Sequence, residues 1–225
     1  MTAIDYRKVL ALFVRHPIQG RVKTRLARDL GDAGACSLYK AIVSDILQNL
    51  KASGFPFIIF HDGNDDFVTL PAEWTEHASG IAKQTGVCIG ERMSKAFEEL
   101  FAAGAERVCL IGSDVPGLDV DLLQSAFEAL DESDAAIAPA FDGGYCLIAF
   151  RRERFLLRPF KDIPWSTSSV LRATLTAFAD SGAKVNVLAS RQDVDTIEDL
   201  LEYCNSPSES ATSTNEWLRL RGYPL

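Results

Sequence analysis

The sequence predicts an α/β fold, a three-layer αβα sandwich around a mostly parallel central sheet. Three observations carry this. Apolar runs of strand length alternate with segments of helical periodicity along most of the chain. The runs are continuous, as in strands buried on both faces. The length, 225 residues, suits one α/β domain with a full core.

Residues 9–14, VLALFV, form the first strand. After a basic loop, residues 33–50 place Leu38, Ile42, Ile46 and Leu50 at helical spacing, and Ser53-Gly54 stops that helix. Residues 55–60 give a second strand, and 61–70 a polar, turn-rich loop. Residues 90–103 read as a helix with Met93, Phe97 and Leu100 on one face. Residues 107–112 form a third strand, closed by the turn Ser113-Asp114-Val115-Pro116-Gly117, and 122–130 are helical. Strands at 135–139 and 144–150 flank Asp142-Gly143-Gly144. A helix around 168–179 and a strand at 184–188 complete the alternation. One domain is expected over residues 1–204, followed within 205–225 by a mobile polar linker at 205–215 and a short apolar–basic tail at 216–225 that can dock back.

The net charge of -8 argues against a nucleic-acid partner or an anionic membrane surface, either of which calls for a basic face. Five cysteines, at 36, 88, 109, 146 and 204, form no Cys-x-x-Cys pair and read as reduced thiols, mostly buried. The apolar run 9–14 is too short for a signal-peptide core, and nothing approaches a membrane span. A cytoplasmic protein is expected.

Against this acidic background, Arg15, Arg21, Lys23, Arg25 and Arg28 crowd the loop after the first strand, beside a Pro17-x-x-Gly20 turn. Forked arginine donors and a following helix suit phosphate oxygens. A solvated charged loop is the ordinary alternative, but the density of the cluster outweighs it. The Gly-x-x-x-x-Gly-Lys-Ser/Thr phosphate loop is absent. Asp114, at the end of an apolar strand, can ligate a hard divalent cation or simply cap a turn. Asp193 and Asp195 precede a helix whose Thr196 and Asp199 read as a capping box. The three histidines have no zinc spacing. Asp142-Gly143-Gly144 permits a tight hairpin, and also a close approach of backbone to ligand. Trp165 can stack on a ring or plug the core, and Ser166 or Thr167 can cap the next helix.

Taken in order, several segments resemble a known family. These are residues 13–26 (FVRHPIQGRVKTRL), Gly90-Glu91-Arg92-Met93, residues 111–118 (IGSDVPGL), Asp142-Gly143-Gly144-Tyr145, Pro164-Trp165-Ser166-Thr167 and Asp193-Val194-Asp195-Thr196. They look like a bacterial group of glycosyltransferase-A-fold proteins within the nucleotide-diphospho-sugar transferase superfamily. Some of its members are linked to arsenosugar biosynthesis. The resemblance implies a Rossmann-like sheet, a nucleotide over the first strand's loop, and Mg²⁺ or Mn²⁺ at Asp114. Analogy with related nucleotidyltransferases makes Asp195 the second metal ligand. One departure is Cys88, where members of the group often carry an acidic residue.

The expected activity is therefore metal-dependent transfer of a glycosyl group from a nucleotide-diphosphate sugar to a small acceptor. Lys23 and Arg25, with Arg15, would neutralise the phosphates. Asp142 would be the acceptor-side carboxylate and candidate general base, with Gly143, Gly144 and Trp165 on the pocket wall. One alternative is a nucleotidyltransferase that releases pyrophosphate from a nucleoside triphosphate, similar to the 2-phospholactate guanylyltransferases. Another is a catalytically lapsed nucleotide-binding protein.

Overall fold

A computed structural model describes residues 7–63 and 69–225 of the protein. The loop expected at 61–70 falls largely on 64–68, outside the described residues. Seven strands form one sheet: β1 (Lys8–Val14), β2 (Phe57–His61), β3 (Gly80–Lys83), β4 (Arg107–Ile111), β5 (Ala135–Pro139), β6 (Tyr145–Arg151) and β7 (Val185–Val187). Their order is β3-β2-β1-β4-β6-β5-β7. All neighbours run parallel except β6, which is antiparallel to both β4 and β5. A short hairpin can join only antiparallel strands, so the tight Asp142-Gly143-Gly144 connection itself dictates the reversal.

Helices cover both faces: α1 (Ala27–Ser53), α2 (Ala72–Thr75), α3 (Ile89–Ala102), α4 (Val120–Ala129), α5 (Val170–Asp180), α6 (Ile197–Asn205) and α7 (Thr212–Arg219). The period-two geometry of a strand explains how one apolar run serves two cores. Leu10, Leu12 and Val14 of β1 pack with Leu38, Ile42 and Ile46 of α1, Leu123 of α4 and Leu200 of α6. Val9, Ala11 and Phe13 point the other way, to Met93 and Phe97 of α3 and Phe178 of α5. The expected three-layer αβα architecture is therefore present.

The structure departs from the sequence reading at several places. Helix α1 begins at Ala27, with a non-helical break at Gly31 (φ 69°, ψ 161°). Strand β3 and the short α2 were not expected. β3 alternates between half-buried and exposed positions, so it leaves no apolar run to read. The chain after 205 is not a mobile linker over its length. Thr212–Arg219 is helical and docks on α1, where the buried Asp45 carboxylate accepts the backbone N–H groups of Ser213 (2.7 Å) and Thr214 (2.8 Å). The capping side chain thus comes from a distant helix, because Ala211 at the N-cap has none to offer.

Candidate active site

Strand order reverses direction between β1 and β4, and in open α/β sheets the crevice at such a reversal receives ligands. The basic loop leaves β1 there, and Ser113-Asp114 leaves β4 beside it. Lys23 ends up inside the crevice. Its backbone sits at φ 48°, a left-handed conformation unfavourable for a residue with a Cβ. Its Nζ lies 2.5 Å from Asp114 Oδ1 and 2.8 Å from Asp195 Oδ1. The lysine side chain is only 2% exposed, whereas Asp114 is 53% and Asp195 38% exposed.

The two carboxylates are held in place by backbone. Val194 N–H donates to the Asp114 carbonyl at 3.1 Å, tying the two loops together. The capping box of α6 is present, and Asp199 Oδ2 also accepts the Asp195 N–H at 3.0 Å. The capping explanation of this segment and its place in the site are thus the same geometry. Burial opposes charge on Lys23, but Asp114 and Asp195 more than offset it and hold the ammonium's pKa above its usual value. Burial likewise opposes ionisation of Asp195. The Lys23 charge and hydrogen bond, helped by Arg25 and Arg15, outweigh it and keep that carboxyl below the ordinary range.

Tyr39 of α1 braces the crevice from beneath. The Arg15 N–H donates to its hydroxyl oxygen at 2.9 Å, and the same hydroxyl lies 3.0 Å from Ser113 Oγ. One buried phenol therefore links the loop after β1 to the loop after β4.

Above these groups opens a cavity of about 520 Å³, whose wall includes Arg15, Asp114, Asp142, Trp165, Asp193 and Asp195. On the β2 side, Asp62 and Gln84 line it. Asp62 Oδ1 accepts the His16 N–H at 3.2 Å and lies 2.8 Å from His16 Nδ1. Gln84 Nε2 donates to the Val14 and Phe60 carbonyls. On the opposite side, Asp142 Oδ1 accepts the Gly144 N–H at 2.7 Å, so the carboxylate closes its own turn. Asp193 is pushed up to about 6 by burial first and then by the Asp142 charge.

Of the residues singled out from sequence, Arg15, Asp114, Asp142, Gly144, Trp165 and Asp195 line the cavity. Lys23 lies beneath it on the two carboxylates. Arg25 is exposed and off the wall, and reaches the site only through its charge on Asp195. Gly143 is also off the wall. At φ 88° its Cα faces the Ser168 carbonyl, which a Cβ would strike, and its own carbonyl accepts the Leu171 N–H at 2.9 Å. Gly143 thus seats the hairpin against the start of α5. Trp165 packs its indole on Gly90, where a Cβ would meet it at 2.8 Å. Neither Ser166 nor Thr167 is the N-cap of α5; Ser169 is, and its N–H donates to Thr167 Oγ1. Cys88 is exposed at the start of α3. Tyr39, Asp62 and Gln84 were missed by sequence reasoning, and Ser113 was read only as part of the turn after the strand.

The donor chemistry fits a divalent cation. Asp114 and Asp195 offer hard oxygen donors to the cavity, and Mg²⁺ commonly takes one or two carboxylates together with substrate phosphates. Among the described residues no group of three or more His, Cys, Asp or Glu is arranged to hold a metal. A cation here would complete its shell with phosphate oxygens and water.

The class is defined by these features: a glycosyltransferase-A or nucleotidyltransferase-like α/β fold with a charged crevice at the strand-order reversal. Residues 46–167 match the profile of a family described as "uncharacterized protein conserved in bacteria" (DUF2064), and the chain belongs to that family. A candidate nucleotide-diphospho-sugar transferase from Desulfovibrio desulfuricans G20 is 34% identical. The alignment covers 97% of this chain and 99% of that one, with a TM-score of 0.85. A nucleotidyl transferase from Methanothermobacter shares the fold at 14% identity and a TM-score of 0.59, over 94% of this chain and 98% of its own. Rv0371c from Mycobacterium tuberculosis H37Rv, crystallised in complex with manganese, shares it at 14% identity and 0.52, over 88% and 98%. No curated protein sequence matches the chain. No helix among the described residues is long and apolar enough to cross a membrane.

Proposed function

We propose that the protein transfers a glycosyl group from a nucleoside-diphosphate sugar to a small acceptor. One observation carries the reading: a buried lysine joins two cavity-facing carboxylates, Asp114 and Asp195, at the strand-order reversal. That arrangement suits a diphosphate, which needs cationic donors and a shared cation at once. Asp114 and Asp195 would hold Mg²⁺ or Mn²⁺, which when bound supplies Lewis-acid stabilisation of the departing diphosphate. Lys23 and Arg15 neutralise the phosphate oxygens, with Arg25 strengthening the field from outside the wall. Trp165 forms one side of the acceptor pocket. Asp142 is the acceptor-side carboxylate, its Oδ2 left to receive a proton from the acceptor hydroxyl while Oδ1 holds the turn. The resembling group's link to arsenosugar biosynthesis supports a small acceptor. All five thiols are free, which supports a cytoplasmic setting.

A second reading is nucleotidyl transfer with release of pyrophosphate. It is favoured by Asp142's engagement in its own turn, because an acceptor that arrives already ionised, such as a phosphate or carboxylate, needs no base. The test is product analysis with Mn²⁺ and panels of sugar nucleotides and nucleoside triphosphates. Release of nucleoside diphosphate from a sugar nucleotide supports glycosyl transfer. Pyrophosphate from a triphosphate, with no sugar transferred, overturns it in favour of the second reading. Metal-dependent nucleotide binding without turnover of any donor overturns both and leaves a lapsed binding protein.

A further inference from the structure

We propose that Lys23 is the resident counter-cation of Asp114 and Asp195, and that nucleotide phosphate must draw it away before a divalent cation can enter. Metal binding in this protein is then conditional on nucleotide. The inference rests on the reading of these aspartates as metal ligands and adds an order of events to it.

Position is the first argument. The ammonium contacts one oxygen of each carboxylate, at 2.5 and 2.8 Å, and so lies between them, where a cation shared by the pair would sit. The second is charge. Two carboxylates and one ammonium sum to a single negative charge, and a dication brought up beside the ammonium meets like-charge repulsion at close range. With Lys23 withdrawn, the pair regains its full double charge. The third is where the ammonium can go. Its side chain is almost wholly buried, and its backbone is held at φ 48°. The carboxylates that hold it face the cavity, so an anion entering there can receive it. The cavity above Asp114 and Asp195, walled on one side by Arg15, is where a diphosphate would place that anion.

The energetic consequence is reciprocal coupling. If phosphate takes the ammonium and so frees the carboxylates, the divalent cation must tighten nucleotide by the same factor that nucleotide tightens the cation. Lys23 then does more than neutralise phosphate. It keeps the carboxylate pair compact in the resting protein, and it denies the site to free divalent cations until substrate is present.

The test is Mn²⁺ binding, read from the electron paramagnetic resonance signal of the free ion. Full-length wild type, Lys23→Met and Lys23→Gln are compared, each alone and with saturating UDP or GDP. Thermal unfolding of each variant establishes that it is folded, and Lys23→Gln serves where the apolar replacement does not fold. Wild type should bind Mn²⁺ weakly alone and about tenfold or more tightly with a nucleoside diphosphate, within the usual range of coupling between sites. The variants should bind Mn²⁺ alone about tenfold more tightly than wild type does, and should lose most of the coupling. Variants that bind Mn²⁺ alone no more tightly than wild type overturn the inference. So does a wild type that binds it tightly without nucleotide. If in that last case Asp114→Asn abolishes the binding, the metal-site reading survives while the gating role fails. If no protein binds Mn²⁺ under any condition, both fail.

Discussion

Asp45 and Lys23 are both charged side chains withdrawn from water, and the molecule satisfies them in opposite ways. Asp45 accepts two backbone N–H groups from the first turn of α7, and these partners are fixed by the chain. Lys23 is held by two carboxylates that themselves face the cavity, so its partners are open to exchange. The first arrangement joins a terminal helix to the body of the fold. The second leaves a charge balance that a ligand can rewrite. A buried charge is thus informative only with its partners: backbone partners indicate docking, and exposed ionisable partners indicate a site.

The largest effect is expected at the site. Asp114→Ala should lower turnover by about 100-fold or more, as for loss of a leading electrostatic contribution to a transition state. Its melting temperature should fall no further than that of Asp45→Ala, because Asp195 still holds the Lys23 ammonium and the removed carboxylate is half exposed. A large fall in stability with little loss of turnover would make Asp114 a structural residue like Asp45. The converse variant, Asp45→Ala, removes the cap of α7 and leaves two N–H groups unpaired, at a cost of about 1–3 kcal/mol. At this chain length that corresponds to a fall of roughly 3–10 °C in a thermal scan, with kcat and KM unchanged.

Tyr39→Phe tests the brace between the two loops and should be milder. Losing the hydroxyl that bridges the Arg15 N–H and Ser113 is expected to reduce kcat/KM by about 5- to 10-fold, in line with roughly 1 kcal/mol per hydrogen bond. Steady-state kinetics with the identified donor would measure it.

The smallest effect concerns His61, whose pKa is lowered by burial first and then by the neighbouring His16. A histidine held below its ordinary value of 6.5 contributes stability that is present above that pH and lost as pH falls through the folded-state pKa. His61→Gln should therefore lose less melting temperature than wild type between pH 7.5 and pH 5.5.

Part of this arrangement was legible in the sequence for local reasons. The continuous run of β1 announced a doubly buried strand, and the basic loop stood out because the rest of the chain is acidic. Asp114 stood out at the end of an apolar strand, whereas the capping box beside Asp195 read as an ordinary helix start, and only the family resemblance singled that carboxylate out. What joins them was not readable. Lys23 meets Asp195 across 172 positions of sequence, and nothing local distinguishes it from the exposed Arg25 two residues on. Tyr39 was hidden because a phenol among Leu38, Ile42 and Ile46 reads as core, which most of its ring is. Asp45 was hidden for the opposite reason, since a carboxylate on a helix is expected in water. The Ser/Thr-rich composition of 205–215 suggested disorder. Its ordering depends on the distant cap that Asp45 provides.

Asp114, Asp195 and Lys23 are proposed to form a metal-dependent diphosphate site. Isothermal titration of wild type and Asp114→Asn with UDP and GDP, each with and without Mn²⁺, tests it most directly. Mn²⁺ should tighten nucleoside diphosphate binding to wild type by about tenfold or more and leave Asp114→Asn unaffected. Equal affinity with and without Mn²⁺ in wild type, or an enhancement that persists in Asp114→Asn, would contradict it.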